Sequence, residues 1–201
     1  VVTGGQGILW YDGTVAGRDS HAGTTPMSMR RDAMAALAEV TLAVERIAVY
    51  NGPAGVGTIG EVRVGPGSRN TIPGSATFRG EFRHPDGETL KAMEAHLMAE
   101  AAEIAERRGV SIDVRRIWLK EPVAFDPDCV SAVEGGAAAA GYGHRRMISG
   151  AGHDAFYTAS HCPTGMIFVP CKDGLSHHEL EEAKREDCAA GAQVLLGAVL
   201  A

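Results

Sequence analysis

The sequence predicts a mixed α/β protein whose first part, roughly residues 7–120, is a four-stranded antiparallel sheet with two helices on one face. Two observations predict it. Two long stretches carry apolar residues at helical spacing, and four shorter runs have the composition and alternation of β-strands. Their order along the chain is β-α-β-β-α-β, which is the split βαβ or ferredoxin-like arrangement.

The first strand and the first helix follow from composition and spacing. Residues 8–16, "ILWYDGTVA", are β-type with turn residues on both sides. Thr25 and Pro26 predict the N-cap and the first position of a helix. One apolar helical face is expected from the residues that recur at helical spacing. These are Ala33, Leu37, Val40, Val44 and Ile47.

Two further β-runs, residues 56–64 and 75–84, are joined by the turn-rich stretch "GPGSRNTIPG". In the second run, Ala76, Phe78 and Phe82 alternate with polar residues, which predicts one packed face and one polar face. Asp86 is expected to cap the second helix, and Gly109 to end it. The predicted buried stripe of that helix is Leu90, Met93, Leu97, Ala101 and Ile104. The run "VSIDVRRIWL" predicts the last strand.

Residues 121–201 have a different character. A small-residue helix is predicted from about residue 128 to 140, followed by a short strand near "RMIS" and a compact apolar strand at "TGMIFV". A helix is predicted at the C-terminus. These α/β pieces are too few to close a sheet of their own, so we expect them to be the end of a larger domain.

Composition and charge exclude several classes of protein. A net charge of −6 argues against a general nucleic-acid binder, which needs a basic surface to displace counterions. No apolar run approaches the ~20 residues that span a bilayer, and "VVTGGQG" lacks the features of a signal peptide. The four cysteines form no CxxC pair, so reduced thiols in a cytoplasmic protein are expected.

Three candidate site residues fall in the first part of the chain. His21 lies between a strand and a predicted helix start, where an imidazole could stabilise an anion or a developing oxyanion. A loop histidine is, however, more often a solvated side chain. Asn70 lies in a turn-rich connection, where satisfying its own backbone is the commoner role. Arg83 ends a strand on the polar face, where it is either solvated or able to grip a carboxylate.

Two further candidates fall in the second part. In "SGAGHDA", Gly150 and Gly152 flank a tight turn whose backbone N–H groups could face an anion. His153 and Asp154 are equally consistent with helix capping and with catalysis. In "DGLSHHELEE", His177 follows a predicted strand end, where metal ligands often lie. One histidine cannot complete a metal site, so its partners would come from outside this chain.

Taken in order, "SHAGTTPM", "SRNTIPG", "FRHPD", "SGAGHDA" and "MIFVPCKDGLSHHELEE" resemble a known family over essentially the whole chain. It is the carbamoylase branch of the dinuclear-metal amidohydrolases related to the M20 metallopeptidases. N-carbamoyl-L-amino acid hydrolases, β-ureidopropionases and allantoate amidohydrolases belong to it. The resemblance implies a lid and dimerisation domain of ferredoxin-like type at 7–120, and the C-terminal part of a zinc-amidohydrolase catalytic domain at 121–201.

The resemblance also implies roles for individual residues. His177 corresponds to the last metal ligand, with His178 standing where the family pattern has Asn. His21 corresponds to a lid histidine that stabilises the tetrahedral intermediate. Asn70, Arg83 and Gly152 correspond to residues that hold the substrate, with Arg83 on its carboxylate.

For the complete enzyme, the resemblance implies two divalent metal ions (zinc, or manganese, cobalt or nickel), a small ureido-acid substrate and a homodimer formed through the lid. The remaining metal ligands and the general-base glutamate would precede Val1, so we expect the isolated 201-residue chain to be inactive. An M20-type peptidase or deacetylase and a non-catalytic dimerisation module are the alternatives.

Overall fold

The computed structural model describes all 201 residues, Val1–Ala201. The chain forms two compact units, which we call the central unit and the flanking unit. The central unit is Gly7–Pro122, and the flanking unit combines Val1–Gln6 with Val123–Ala201. Both contain helices and strands, so the predicted mixed α/β class is confirmed.

The central unit is built on a four-stranded antiparallel sheet in the order β4-β6-β2-β7. Two helices alternate with these strands along the chain, and a separate two-stranded ribbon, β3-β5, projects from the connections. The elements are β2 (Gly7–Ala16), β3 (Ser20–His21), α1 (Ala33–Tyr50), β4 (Val56–Gly65), β5 (Thr71–Ile72), β6 (Ser75–His84), α2 (Gly87–Arg108) and β7 (Ser111–Lys120).

One face of this sheet and the apolar stripes of α1 and α2 form the core of the central unit. Every residue predicted for the two stripes is buried, because helical spacing places the apolar side chains on one side of each helix. On β6, Ala76, Phe78 and Phe82 are buried as the alternation predicted. The opposite face of the sheet carries charged side chains and two tryptophans.

The predicted ends of α2 are confirmed, whereas the predicted start of α1 is wrong. Asp86 caps α2 by accepting a hydrogen bond from Thr89 N, and Gly109 ends it with a left-handed φ of 62°. Helix α1 begins at Ala33 with Asp32 as its N-cap, and Pro26 starts only a short 3₁₀ turn.

Helix α1 begins later than predicted because of hydrogen bonds in the segment that precedes it. Arg18 N donates to Arg31 O at 2.8 Å, which holds residue 31 in an extended bridge. The side chain of Arg30 donates to Ala22 O at 2.7 Å and to Thr25 O at 3.1 Å. These contacts hold the segment in a 3₁₀ turn followed by an extended bridge at Arg31, so α1 begins only after Asp32.

An ion pair joins the two helices of the central unit. Glu39 of α1 accepts hydrogen bonds from Arg107 and Arg108 at the end of α2. These two arginines lower the pKa of the Glu39 carboxyl from 4.5 to about 2. A carboxylate with a depressed pKa stabilises the folded state above its unfolded-state pKa, and this contribution is lost as the pH falls through the folded-state value.

We therefore expect Glu39→Gln to lower the free energy of unfolding of the central unit by about 1 kcal/mol at neutral pH, a value reduced by the exposure of Arg107. The difference from wild type should shrink as the pH falls from 4.5 to 2. Urea unfolding followed by tryptophan fluorescence measures it, since both tryptophans lie in the central unit. Glu45→Gln, which changes an exposed carboxylate on the same helix, is the control and should leave the free energy of unfolding near the wild-type value.

The flanking unit contains a three-stranded sheet in the order β8-β1-β9, in which β1 pairs antiparallel with β8 and parallel with β9. The sequence predicted no element for the segment that forms the middle strand of this sheet. The elements are β1 (Val2–Gly5), β8 (Val123–Ala124), α3 (Pro127–Ala139), β9 (Met147–Ser149), α4 (Ala155–Thr158) and α5 (Arg185–Leu200).

The predicted strand "TGMIFV" is wrong. Only Met166 makes a β-bridge, to Val2, and the rest of the segment has no regular pairing. A short apolar run gives no information about whether a partner strand is available. Composition alone therefore predicted a strand where none forms. No helix of the structure has the length and the apolar character that a bilayer crossing requires.

Candidate active site

His21 lies at the end of β3 with an exposed ring whose one nitrogen is tied to the backbone. Its Nδ1 accepts hydrogen bonds from Gly23 N at 3.0 Å and from Thr24 N at 3.2 Å. A nitrogen that accepts two N–H groups carries no proton in the neutral ring. The proton of the neutral imidazole therefore lies on Nε2, which makes Nε2 a hydrogen-bond donor.

Asn70 lies next to His21 because the β3-β5 ribbon pairs the two connections. Ala22 N donates to Asn70 O at 2.8 Å, and His21 pairs with Thr71. The side-chain Oδ1 of Asn70 accepts from Ser68 Oγ at 2.7 Å. The ribbon therefore gathers two of the predicted site residues at one place in the central unit.

Arg83, on the outward face of β6, is oriented by a neighbour on the same strand. Its Nε donates to Glu81 Oε1 and its Nη2 to Glu81 Oε2, each at 2.9 Å. Glu81 Oε2 also accepts from Trp10 Nε1 at 2.9 Å. The guanidinium plane is thus held by a two-point contact with Glu81, which fixes its orientation on the sheet face. The sequence did not assign a role to Glu81 or Trp10. Alternation along β6 places Glu81 on the face of Arg83, and the pairing of β2 with β6 places Trp10 opposite Glu81.

Gly152 belongs to a turn of the flanking unit that is organised by a buried hydroxyl. Ser149, which is only 1% exposed, donates from Oγ to Ala151 O at 3.0 Å and accepts from Ala151 N at 3.1 Å. His153 Nε2 lies 3.0 Å from the same Oγ. With its proton given to Ala151 O, the hydroxyl accepts from His153, so the neutral ring carries its proton on Nε2.

Neither His153 nor Asp154 caps the following helix with its side chain. Asp154 makes no side-chain cap bond to α4. The His153 ring instead packs edge-on against Phe156 and Phe168, with ring centroids 5.8 and 5.4 Å away. The sequence did not predict the roles of Ser149 and Phe168. Only the tight spacing of "SGAGHDA" hinted at Ser149.

His177 lies in an exposed turn and has a left-handed φ of 56°. Its backbone N donates to Glu181 Oε2 at 3.0 Å. The ring of His178, in contrast, is tied to the turn, because its Nδ1 accepts from Leu180 N at 3.1 Å. An imidazole is a suitable ligand for zinc and similar divalent metals. Within this chain no group of three or more His, Cys, Asp and Glu side chains could hold a metal ion.

The structure thus groups the predicted site residues by unit. His21, Asn70 and Arg83 belong to the central unit, and Gly152 and His177 belong to the flanking unit. The central unit offers an N–H donor and a planar cation, and the flanking unit offers a glycine turn and an exposed imidazole.

Comparison with known proteins gives the family. The chain matches the description "Peptidase family M20/M25/M40" over residues 16–201 and belongs to this family. The resemblance predicted from the five motifs is thereby confirmed.

Three similar proteins show which members of this family the chain resembles. The N-carbamoyl-L-amino-acid amidohydrolase of Rhizobium meliloti is 45% identical over 200 residues, which are 100% of this chain and 48% of that protein. The allantoate amidohydrolase of Escherichia coli (strain K12) is 34% identical over 92% of this chain and 45% of its own length. A solved amidase of the hydantoinase/carbamoylase family from Burkholderia multivorans is 48% identical, with a TM-score of 0.94 over 99% of this chain and 48% of that one. The chain spans about half the length of the curated relatives that it matches.

Proposed function

We propose that the complete protein hydrolyses the carbamoyl C–N bond of N-carbamoyl-L-amino acids or related ureido acids. In this proposal the central unit is the substrate-binding lid, and the flanking unit supplies the last metal ligand. The observation that carries the proposal is the Arg83 guanidinium, oriented by Glu81 on an open sheet face, which suits a substrate carboxylate. The relatives are named as amidohydrolases of carbamoyl amino acids and of allantoate. These names support a substrate that contains a ureido group.

Some residues of this chain would bind the substrate, and one would stabilise the negative charge that develops during the reaction. Arg83 binds the carboxylate, and Asn70 and the Gly152 turn hold the polar part of the substrate. His21 donates from Nε2 to the oxygen on which negative charge develops, and its tautomer already suits this role. His177 would hold one of two divalent ions (zinc, or manganese, cobalt or nickel). Such ions activate water and polarise the carbonyl when bound. The products would be an amino acid, ammonia and carbon dioxide.

A panel of ureido acids with different added metals, assayed on the full-length protein, tests this function. We expect Arg83→Lys to raise the KM of carboxylate substrates about ten-fold or more, because lysine keeps the charge but loses the planar two-point contact. Arg79→Lys is the matched control, since Arg79 lies four residues earlier on the same face of β6 and pairs with Glu61 and Asp12. A wild-type KM for every carboxylate substrate in Arg83→Lys would remove Arg83 from the site.

We also propose that the complete protein is a homodimer that pairs through the central unit. Strand β4 is an edge of the four-stranded sheet, and it exposes Val56 and Val62. An open sheet edge with exposed apolar side chains needs covering or pairing. Solution scattering of the full-length protein decides this, and a monomer at assay concentration would contradict it.

A cytoplasmic location is proposed on the state of the thiols. All four cysteines are free in the structure, which suits a reducing compartment. Fractionation of the source cells tests this proposal, and recovery outside the cytoplasmic fraction would contradict it.

A further inference from the structure

Two tryptophans, one exposed and one half-buried, form an aromatic pair on the open face of the central sheet. Trp10 of β2 lies opposite Trp118 of β7, with ring centroids 4.9 Å apart and an angle of 50° between the ring planes. Trp10 is 48% exposed. Tryptophans are enriched at binding surfaces, and contiguous apolar surface rimmed by polar residues marks ligand-binding sites.

A β-bulge turns Trp118 onto this face. Trp10 pairs with Trp118 and Tyr11 pairs with Arg116, so Ile117 is an extra residue in β7. Successive side chains of a strand alternate between faces, so without the extra residue position 118 would share the helix-covered side with position 116. Bulges that redirect a side chain are frequent next to functional sites. The backbone of β7 is thus shaped to bring the second indole out beside the first.

The aromatic pair is connected to the proposed carboxylate anchor through one oxygen atom. Glu81 Oε2 accepts from Trp10 Nε1 and from Arg83 Nη2, each at 2.9 Å. The indole and the guanidinium therefore lie within two hydrogen-bond lengths of each other. A cation, its orienting carboxylate and two indole rings form one continuous patch on the sheet.

We propose that Trp10 and Trp118 form the subsite for the side chain of the amino acid whose carboxylate binds to Arg83, and that they select large apolar or aromatic side chains. This inference rests on the proposed function. An α-amino acid carries its carboxylate and its side chain on the same carbon atom, so a carboxylate on Arg83 brings the side chain next to the indole rings. Indole faces gain most from burying apolar or aromatic groups and nothing from a substrate without a side chain.

The test compares N-carbamoyl-L-phenylalanine with N-carbamoylglycine on the full-length protein. We expect Trp118→Ala to lower the ratio of the two kcat/KM values about ten-fold, mainly through KM for the phenylalanine derivative. Trp118→Phe keeps an aromatic face and should stay near the wild-type ratio. Tyr50→Ala, which removes an aromatic side chain that is 83% exposed elsewhere in the central unit, is the matched control and should leave the ratio unchanged.

The two substrates separate failure of the inference from failure of the proposed function. If Trp118→Ala hydrolyses both substrates with the wild-type ratio, the subsite is overturned while the ureidohydrolase activity stands. If the wild-type protein hydrolyses neither substrate nor any other ureido acid, the proposed function fails. In that case tryptophan fluorescence tests whether the subsite binds the ligand, because both tryptophans of this 201-residue chain belong to the pair. A saturable change in its emission with N-carbamoyl-L-phenylalanine but not with N-carbamoylglycine supports the subsite, and its absence overturns it.

Discussion

His177→Ala in the complete protein is expected to lose one metal ion and to lower turnover by roughly a thousand-fold, since a bound ion contributes several kcal/mol to transition-state stabilisation. We propose His177 as the ligand from its place in the motif, and the residue lies in an exposed turn with a left-handed backbone. That backbone conformation directs it differently from its neighbour. Elemental analysis measures the metal content independently of activity.

His178→Ala is the matched control for this prediction. The ring of His178 accepts a hydrogen bond from Leu180 N, so we expect a local effect on the turn and a much smaller loss of turnover. The isolated 201-residue chain should bind metal weakly and hydrolyse nothing, whichever histidine is changed. Two ions in His177→Ala, or in the isolated chain, would show that the metal site has been placed wrongly.

Gly5→Ala is expected to destabilise the flanking unit by about 3 kcal/mol, the upper range for overpacking a core. A Cβ at Gly5 would lie 1.7 Å from Phe156 Cζ. Phe156 is 2% exposed and also packs against Phe125, so its ring has little room to move. Because His153 packs against the same ring, the strain should also reach the Gly152 turn.

Thermal unfolding by circular dichroism and hydrogen exchange of the β1 and α4 amides measure this effect. Gly135→Ala is the control, since a Cβ at Gly135 meets nothing within 4 Å. Gly135 lies inside α3, where alanine is preferred, so this change should stabilise the unit by about 0.5–1 kcal/mol. Equal stabilities for the two variants would show that the contact between Gly5 and Phe156 is not tight.

The sequence by itself determined the features that depend on local chemistry. The caps of α2 at Asp86 and Gly109 act within one helical turn, so the residues that form them can be recognised without the rest of the fold. The buried faces of α1, α2 and β6 follow from periodicity, which is set by backbone geometry. The order of the five motifs identified the family, which the comparisons confirm.

Only the tertiary structure decided the features that depend on pairing between distant segments. The β3-β5 ribbon brings His21 beside Asn70 through backbone hydrogen bonds, and the bulge at Ile117 places Trp118 opposite Trp10. Backbone N–H and C=O groups are nearly the same in every residue, so the side-chain pattern of one strand does not show which other strand it pairs with. For the same reason the sequence predicted a strand at "TGMIFV" and none at Val2–Gly5. Whether an apolar run becomes a strand depends on a partner strand that the run itself does not encode.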